Sequence, residues 1–168
     1  MKLNLGCGGK VMSGYVNVDV NPRVPGVDVF HNLDEVPWPF ESESAEEIRM
    51  EHVLEHLCDP NAAMREVHRI LQAGGIVHIV VPHFLSPGAF VDPTHRRYFA
   101  HDTFFYYTGR GGYFDFRFSA CTVRFVFKDR WGPLKGVFER LATRFPRIYE
   151  ETPLRMFPAY LLDVTLVK

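Results

Sequence analysis

The spacing of apolar and polar positions changes period several times along the 168-residue chain. Residues Lys2-Leu3-Asn4-Leu5 form a short apolar run that stops at Gly6-Cys7-Gly8-Gly9, the pattern of a strand running into a glycine loop. Tyr15 to Val20 alternates and is rich in β-branched residues, which predicts a second strand closed by Asn21-Pro22. Val27 to Phe30 reads as a short third strand, and Pro37-Trp38-Pro39 as a loop, because two prolines remove two backbone donors. Glu46 to Met50 is assigned to a strand from its place in the pattern. Asp59 suits an N-cap and Pro60 the first helical position. Met64, Val67, Ile70 and Leu71 then give an apolar helical face, with Gly74-Gly75 as the expected stop. Ile76 to Val81 is nearly continuous in apolar residues, as expected of a strand buried on both faces, and Pro82 ends it.

Residues 1–82 therefore read as strand, loop, strand, strand, strand, helix, strand, which predicts an α/β protein with a mostly parallel sheet. Residues 113–127 and 159–167 alternate or run apolar and read as antiparallel strands. Between them and the first half lies a long insertion, 83–112, with weak regular signal; insertions of this length often carry function. No repeat, low-complexity tract or linker divides the chain, so one domain over 1–168 is expected, with a binding half at 1–82 and an insertion plus C-terminal strands at 83–168.

Composition is that of a globular protein: 46% hydrophobic and 23% charged residues. No apolar run reaches the ~18 residues of a membrane-spanning helix, and no secretory signal precedes the first strand. Cys7, Cys58 and Cys121 are odd in number and far apart, which fits a reducing cytoplasm better than a disulfide framework. The net charge of −1 conceals an asymmetry: residues 1–94 carry 6 basic and 13 acidic side chains, and residues 95–168 carry 13 and 7. Half of the 24 aromatic residues lie between Tyr98 and Phe127. The basic side chains are spread without a dense cluster, which argues against nucleic acid.

Three groups of residues can carry chemistry. The Gly6–Gly9 loop lets backbone approach a ligand closely, and Asp19 at the end of the second strand can accept hydrogen bonds from ribose hydroxyls. A plain turn and a solvated carboxylate are the competing explanation, and the third glycine of the dinucleotide fingerprint is missing. His52-Val53-Leu54-Glu55-His56 matches H-x-x-E-H, which on a helix can ligate zinc; His68, His83, His95 or Glu66 would be the third ligand of a zinc hydrolase. Pro82-His83-Phe84 and Asp92-Pro93-Thr94-His95-Arg96-Arg97-Tyr98 follow the buried strand. Imidazole titrates near neutrality, so His83 or His95 is a candidate general base. Arg96 and Arg97 can bind an anionic group. The run Phe104-Phe105-Tyr106-Tyr107 is read as core or contact surface ahead of pocket lining.

Taken in order, these stretches resemble the class I S-adenosylmethionine-dependent methyltransferases, in their small type 11 branch. Leu3-Asn4-Leu5-Gly6-Cys7-Gly8 is similar to the first motif and Val18-Asp19-Val20-Asn21-Pro22 to the second-strand acid. Asn32-Leu33-Asp34-Glu35 with Pro37-Trp38-Pro39-Phe40 resembles the adenine loop. Glu51-His52-Val53-Leu54-Glu55-His56 resembles the fourth-strand exit, and Arg65 to Leu71 through Gly74-Gly75 the helix and turn before the fifth strand.

The resemblance implies a Rossmann-like, seven-stranded, mostly parallel sheet with an antiparallel last strand, and S-adenosyl-L-methionine as cofactor. It implies cofactor contacts from Asn4, Leu5, Gly6, Cys7, Gly8, Asp19, Asn32, Leu33, Glu51 and His52. His83 or His95 then become the catalytic candidates and Arg96, Arg97 and Tyr98 the substrate contacts, with no metal. Three departures stand out. The usual helix before the first strand is not in evidence, the helix after Gly8 is reduced to a loop, and Asn32 stands where aspartate is common. A second copy, a partner subunit or a later segment of the chain is expected to cover the cofactor. The expected function is methyl transfer to a small-molecule or glycan- or lipid-linked acceptor, anionic or flat in view of the charge asymmetry. A degenerate cofactor-binding or partner module, and the zinc hydrolase, are the alternatives.

Overall fold

A computed structural model describes residues 1–168, the side chains of residues 130, 131 and 133 excepted. Seven strands form one sheet: β1 (Lys2–Leu5), β2 (Val16–Asp19), β3 (Val29–Phe30), β4 (Ala45–Glu51), β5 (Leu71–Pro82), β6 (Ala120–Val126) and β7 (Leu161–Val167). Their order is β3-β2-β1-β4-β5-β7-β6. The first five pair in parallel, and β7 runs antiparallel to both β5 and β6. The chain leaves β1 for β2 on one side and later returns to β4 on the other. The strand order thus reverses at β1/β4, where ligands of open α/β sheets bind beyond the carboxyl ends of the strands.

Helix α1 (Pro60–Ile70) forms as expected. Asp59 Oδ1 accepts from the N–H groups of Asn61 and Ala62 at 2.9 and 3.1 Å, and Ala63, Met64, Val67 and Ile70 are buried. Its stop differs from expectation. Leu71 is already extended, with φ −63° and ψ 135°, and α1 passes directly into β5. Gly74 and Gly75 lie inside β5, beside the register shift between Ala45 and Glu47. A Cβ on Gly75 would stand 2.9 Å from the Gln72 carbonyl oxygen and 3.1 Å from that of Ala45, so close backbone approach explains this glycine.

β5 also departs from the two-faced burial that its apolar run predicts. Val77, Ile79 and Val81 are fully buried, whereas Ile76, His78 and Val80 remain half-exposed on the other face. Of residues 113–127 only Ala120–Val126 forms a strand. Ahead of it, Phe114 and Phe116 pack on each other and on Tyr107, in an aromatic cluster rather than a ladder.

The insertion holds a single turn of helix, α2 (Gly88–Val91), and 3₁₀ segments at His101–Thr108 and Arg110–Gly112. Phe104 and Tyr107 are buried, as the core reading of the aromatic run expects. Helices α3 (Lys135–Arg144) and α4 (Pro146–Glu151) link β6 to β7 and have no counterpart among the elements that the sequence pattern predicts. The three cysteines are free. Among the described residues, no helix is long and apolar enough to cross a membrane.

Candidate active site

The loop after β1 is built around Asn4 and Asn17, both buried. Asn4 Nδ2 donates to the Lys10 carbonyl and to Asn17 Oδ1, each at 2.9 Å, and Asn17 Oδ1 also accepts from Met12 N–H. These bonds hold residues 7–15 as an irregular loop without a helix. The Asn4 amide is thus committed to the loop scaffold, and the Leu5 side chain, fully buried, to the core. Gly6 has φ +61°, and a Cβ there would come within 2.5 Å of Val53 Cγ2. Gly8 has φ +48° and open space beyond it. Asp19 Oδ2 accepts from Gly8 N–H and Oδ1 from Asn21 N–H, each at 2.8 Å, so the carboxylate is held at the strand end with a lone pair left on each oxygen.

Two cavities open on this loop. One, of about 280 Å³, is lined by Gly6, Asp19, Asn32, Leu33, His52 and His56 among others. A smaller one, of about 210 Å³, is lined by Asn4, Gly6, Cys7, Lys10 and Glu51 among others. Glu51 Oε2 receives Lys10 Nζ and Oε1 receives Arg49 Nη2, each at 3.1 Å. Burial pushes this carboxyl up, but the two cations outweigh it and hold it below the usual range.

The segment carrying Asn32 and Leu33 is latched from below. Trp38 Nε1 donates to the Leu33 carbonyl at 3.2 Å, and Trp38 N–H donates to Glu66 Oε2 at 2.7 Å. Glu66 also takes both Nε and Nη2 of Arg69, whose guanidinium reaches the carbonyls of Trp38 and Phe40. Burial raises the Glu66 carboxyl, and Arg69 with the Trp38 N–H brings it below the usual range. Asn32 Oδ1 accepts from Asp34 N–H at 3.2 Å, and its amide donates to Glu35.

Residues 52–58 leave β4 as a series of turns, not a helix. His52 has φ +57°, uncommon for a residue with a side chain, and its N–H still pairs with the Val80 carbonyl. His52 Nδ1 lies 3.0 Å from Oε1 of Glu55, which is 1% exposed. A carboxylate can only accept, so Nδ1 carries the proton and Nε2 is the free face. His52 and His56 do not share a helix face, which removes the geometry a helical zinc hydrolase motif requires.

A third cavity, of about 450 Å³, is lined by His52, Pro82, Gly88, Asp92, His95 and Tyr160 among others. His52 thus lines both this cavity and the one that holds Asp19. His95 is a residue the sequence singles out. Tyr160, at the entry to β7, is not, because no local pattern reveals which residues a distant strand brings to the β5 edge. A Cβ on Gly88 would meet Tyr160 at 3.1 Å.

The expected bases and acceptor contacts occupy different surroundings. His83 is fully buried, 3.0 Å from Glu150 and packed against Phe84 and Phe125, so it stands in the core away from solvent and from every cavity that lines the site. Arg96 and Arg97 turn back onto Cys58, to its sulfur and its carbonyl, while their N–H groups bond the Glu55 carbonyl. They clip the loop to the turn, and Tyr98 stacks on Phe90 on the exposed surface.

A methyltransferase-domain family model matches residues 3–113. No curated protein matches the chain. Among solved structures, a SAM-dependent methyltransferase from Archaeoglobus fulgidus is 15% identical, with a TM-score of 0.65 over 99% of this chain and 85% of that one. A SAM-dependent methyltransferase from Thermotoga maritima is 16% identical, with a TM-score of 0.63 over 99% and 81%. The [4+2]-cyclase SpnF is 14% identical, with a TM-score of 0.59 over 99% and 73%. At these identities the likeness is one of fold.

Proposed function

Since the chain belongs to the methyltransferase-domain family, whose class I members use S-adenosylmethionine, we propose that it transfers a methyl group to a nucleophilic oxygen or nitrogen of a small or carrier-linked acceptor. The observation that carries this reading is the place of His52, one side chain lining both the Asp19 cavity and the 450 Å³ cavity beyond it. The three free thiols suit a reducing cytoplasm.

The residues present fit the cofactor. Asp19 retains lone pairs for two ribose hydroxyls, Gly8 leaves open the space a Cβ would fill, and Asn32 and Leu33 form the wall suited to adenine. Glu51, near the glycine loop, suits an ammonium group. When bound, the cofactor supplies a methyl group on a sulfonium, an activated electrophile, so the protein's part is alignment and proton removal. His52 is placed to remove the proton. Glu55 fixes the imidazole proton on Nδ1 and leaves Nε2 to take one from an acceptor in the adjoining cavity. Among the described residues no lysine or arginine lines that cavity, which favours a neutral acceptor over the anionic one suggested by the charge asymmetry.

Calorimetric titration with S-adenosylmethionine and S-adenosylhomocysteine tests the reading. Saturable binding that weakens at least about tenfold in Asp19→Ala is expected, since the lost hydrogen bonds involve a charged acceptor. Absence of heat up to millimolar ligand overturns it and favours a degenerate module. With an acceptor found by screening for transfer of a labelled methyl group, His52→Ala should lower kcat by about 10²–10⁴-fold. An unchanged kcat removes His52 as the base.

A further inference from the structure

Glu55, His56, which lines the Asp19 cavity, and His95, which lines the acceptor cavity, share a property. Each has one polar atom engaged and one left over. Glu55 Oε1 is taken by His52 Nδ1, while Oε2 is buried and has no partner among the described residues. His56 Nδ1 lies 2.8 Å from the Thr94 hydroxyl, whose own proton goes to Asp92 Oδ1 at 2.6 Å. A hydroxyl has one proton to give, so His56 Nδ1 must be the donor, and the lone pair of the neutral ring sits on Nε2. His95 Nδ1 lies 3.0 Å from the Ala89 carbonyl, which can only accept, so this ring too has its lone pair on Nε2.

The three residues themselves are brought together. One ligand atom each from Glu55, His56 and His95 lies within 4.8 Å of the other two, and the two imidazoles meet edge to face at 4.7 Å. Asp92 Oδ2, 4.0 Å from His95 Nε2, adds a further oxygen. The guanidinium groups of Arg96 and Arg97, next in the chain after His95, bond to Cys58. A group of lone pairs with a buried carboxylate and no matching donor calls for a cation.

We propose that Glu55, His56 and His95 form a binding site for one divalent first-row transition-metal ion, with Asp92 and solvent available for the remaining positions. Two imidazoles and one carboxylate suit zinc, cobalt, manganese or iron; magnesium and calcium prefer all-oxygen sets. The outer contacts match those of metal-binding histidines, whose second nitrogen donates to a carbonyl or, through a relay, to a carboxylate. Here the carbonyl is that of Ala89 and the relay is Thr94 to Asp92. This set omits His52 and lies on turns and a loop, so it does not restore the helical hydrolase motif. The open positions of the ion would face an acceptor oxygen, a role that rests on the methyl-transfer reading; the binding of the ion does not.

The test uses the full chain without an affinity tag, stripped with a chelator and dialysed. It is titrated with Co²⁺ followed by visible absorption, with Zn²⁺ by calorimetry, and with Mg²⁺ as control. One Co²⁺ per chain with ligand-field bands, displaced by stoichiometric Zn²⁺ and not by equimolar Mg²⁺, is expected. His56→Ala and His95→Ala should each weaken Zn²⁺ binding beyond the roughly 10–100-fold typical of outer-contact changes, and Thr94→Val, at an exposed position, should fall within that range. No Co²⁺ bands in the unaltered protein, or unchanged Zn²⁺ affinity in the His56→Ala/His95→Ala double variant, overturns the proposal. S-adenosylhomocysteine binding by the stripped protein separates the two readings: retained binding without metal uptake rejects the ion site alone. Metal uptake without nucleoside binding rejects the methyl-transfer reading alone.

Discussion

Replacing Gly6 by alanine should destabilise the protein through a contact the cofactor does not make. The residue has φ +61°, where a side chain costs about 1–2 kcal/mol. Its new Cβ would lie 2.5 Å from Val53 Cγ2, far inside the ~3.5–4.0 Å of a carbon–carbon contact. Val53 is 6% exposed and packed in the core, so relief requires an off-rotamer side chain or a backbone shift, worth about 1–3 kcal/mol. The expected loss is therefore about 2–5 kcal/mol. Gly8→Ala, with φ +48° and nothing within 4 Å of its Cβ, should lose only the backbone part, about 1–2 kcal/mol. Val53→Ala alone should cost about 1.5–3 kcal/mol through two lost methyl groups and the space they leave. In the Gly6→Ala/Val53→Ala double variant the clash is gone, so its cost should fall below the sum of the single costs by about 1–3 kcal/mol. Urea unfolding followed by circular dichroism reads all four proteins, provided the slopes agree. Additivity within about 0.5 kcal/mol would refute the proposed clash, because the two sites would then be uncoupled. S-adenosylhomocysteine affinity supplies the complementary readout: Gly8→Ala should weaken binding more than it weakens the fold.

Other expectations follow from the same geometry. Asp59→Ala removes the oxygen that accepts from Asn61 and Ala62 N–H, and should cost about 1 kcal/mol in thermal or urea unfolding. Glu66→Ala leaves the Trp38 N–H unpaired and takes the carboxylate from Arg69, which keeps its bonds to the Trp38 and Phe40 carbonyls, and should cost about 1–3 kcal/mol while loosening the Asn32–Leu33 wall and weakening nucleoside binding. The Glu66 carboxyl is held below its unfolded value, so its contribution is complete above the ordinary glutamate range of about 4.3 and is lost as pH falls through the folded value. Unfolding measured between neutrality and acid should thus show a steeper loss below that range in the unaltered protein than in Glu66→Gln.

Much of the fold was legible because its signals are local. The 2–5 and 15–20 strands, the Asp59-Pro60 helix start and the antiparallel 159–167 segment rest on patterns confined to a few residues, the 46–50 strand on its place in the order of elements, and the structure forms each of them. The misses arise where a pattern needs a distant partner. Phe114, Phe116 and Phe118 alternate like a strand but find aromatic neighbours before a ladder partner, and pairing begins only where Ser119 N–H meets the Val167 carbonyl. Neither α3 nor α4 has a side-chain N-cap of the kind Asp59 gives α1, although Pro146 opens α4 as Pro60 opens α1.

At the site the division is the same. Sequence alone placed glycines after β1, an acid at the end of β2 and a histidine-rich segment after β4, since each follows from position along one strand. It could not tell that Gly6 answers to Val53, that Asn4 is spent on the loop, or that Arg96 and Arg97 close on Cys58. Nor could it separate His83 from His95. Both follow β5, yet one is sealed in the core against Glu150 and the other lines a cavity beside His56. Chain order determines which chemistry is available. Only packing, by burying one polar atom and leaving its neighbour without a partner, decides which of those groups faces a ligand.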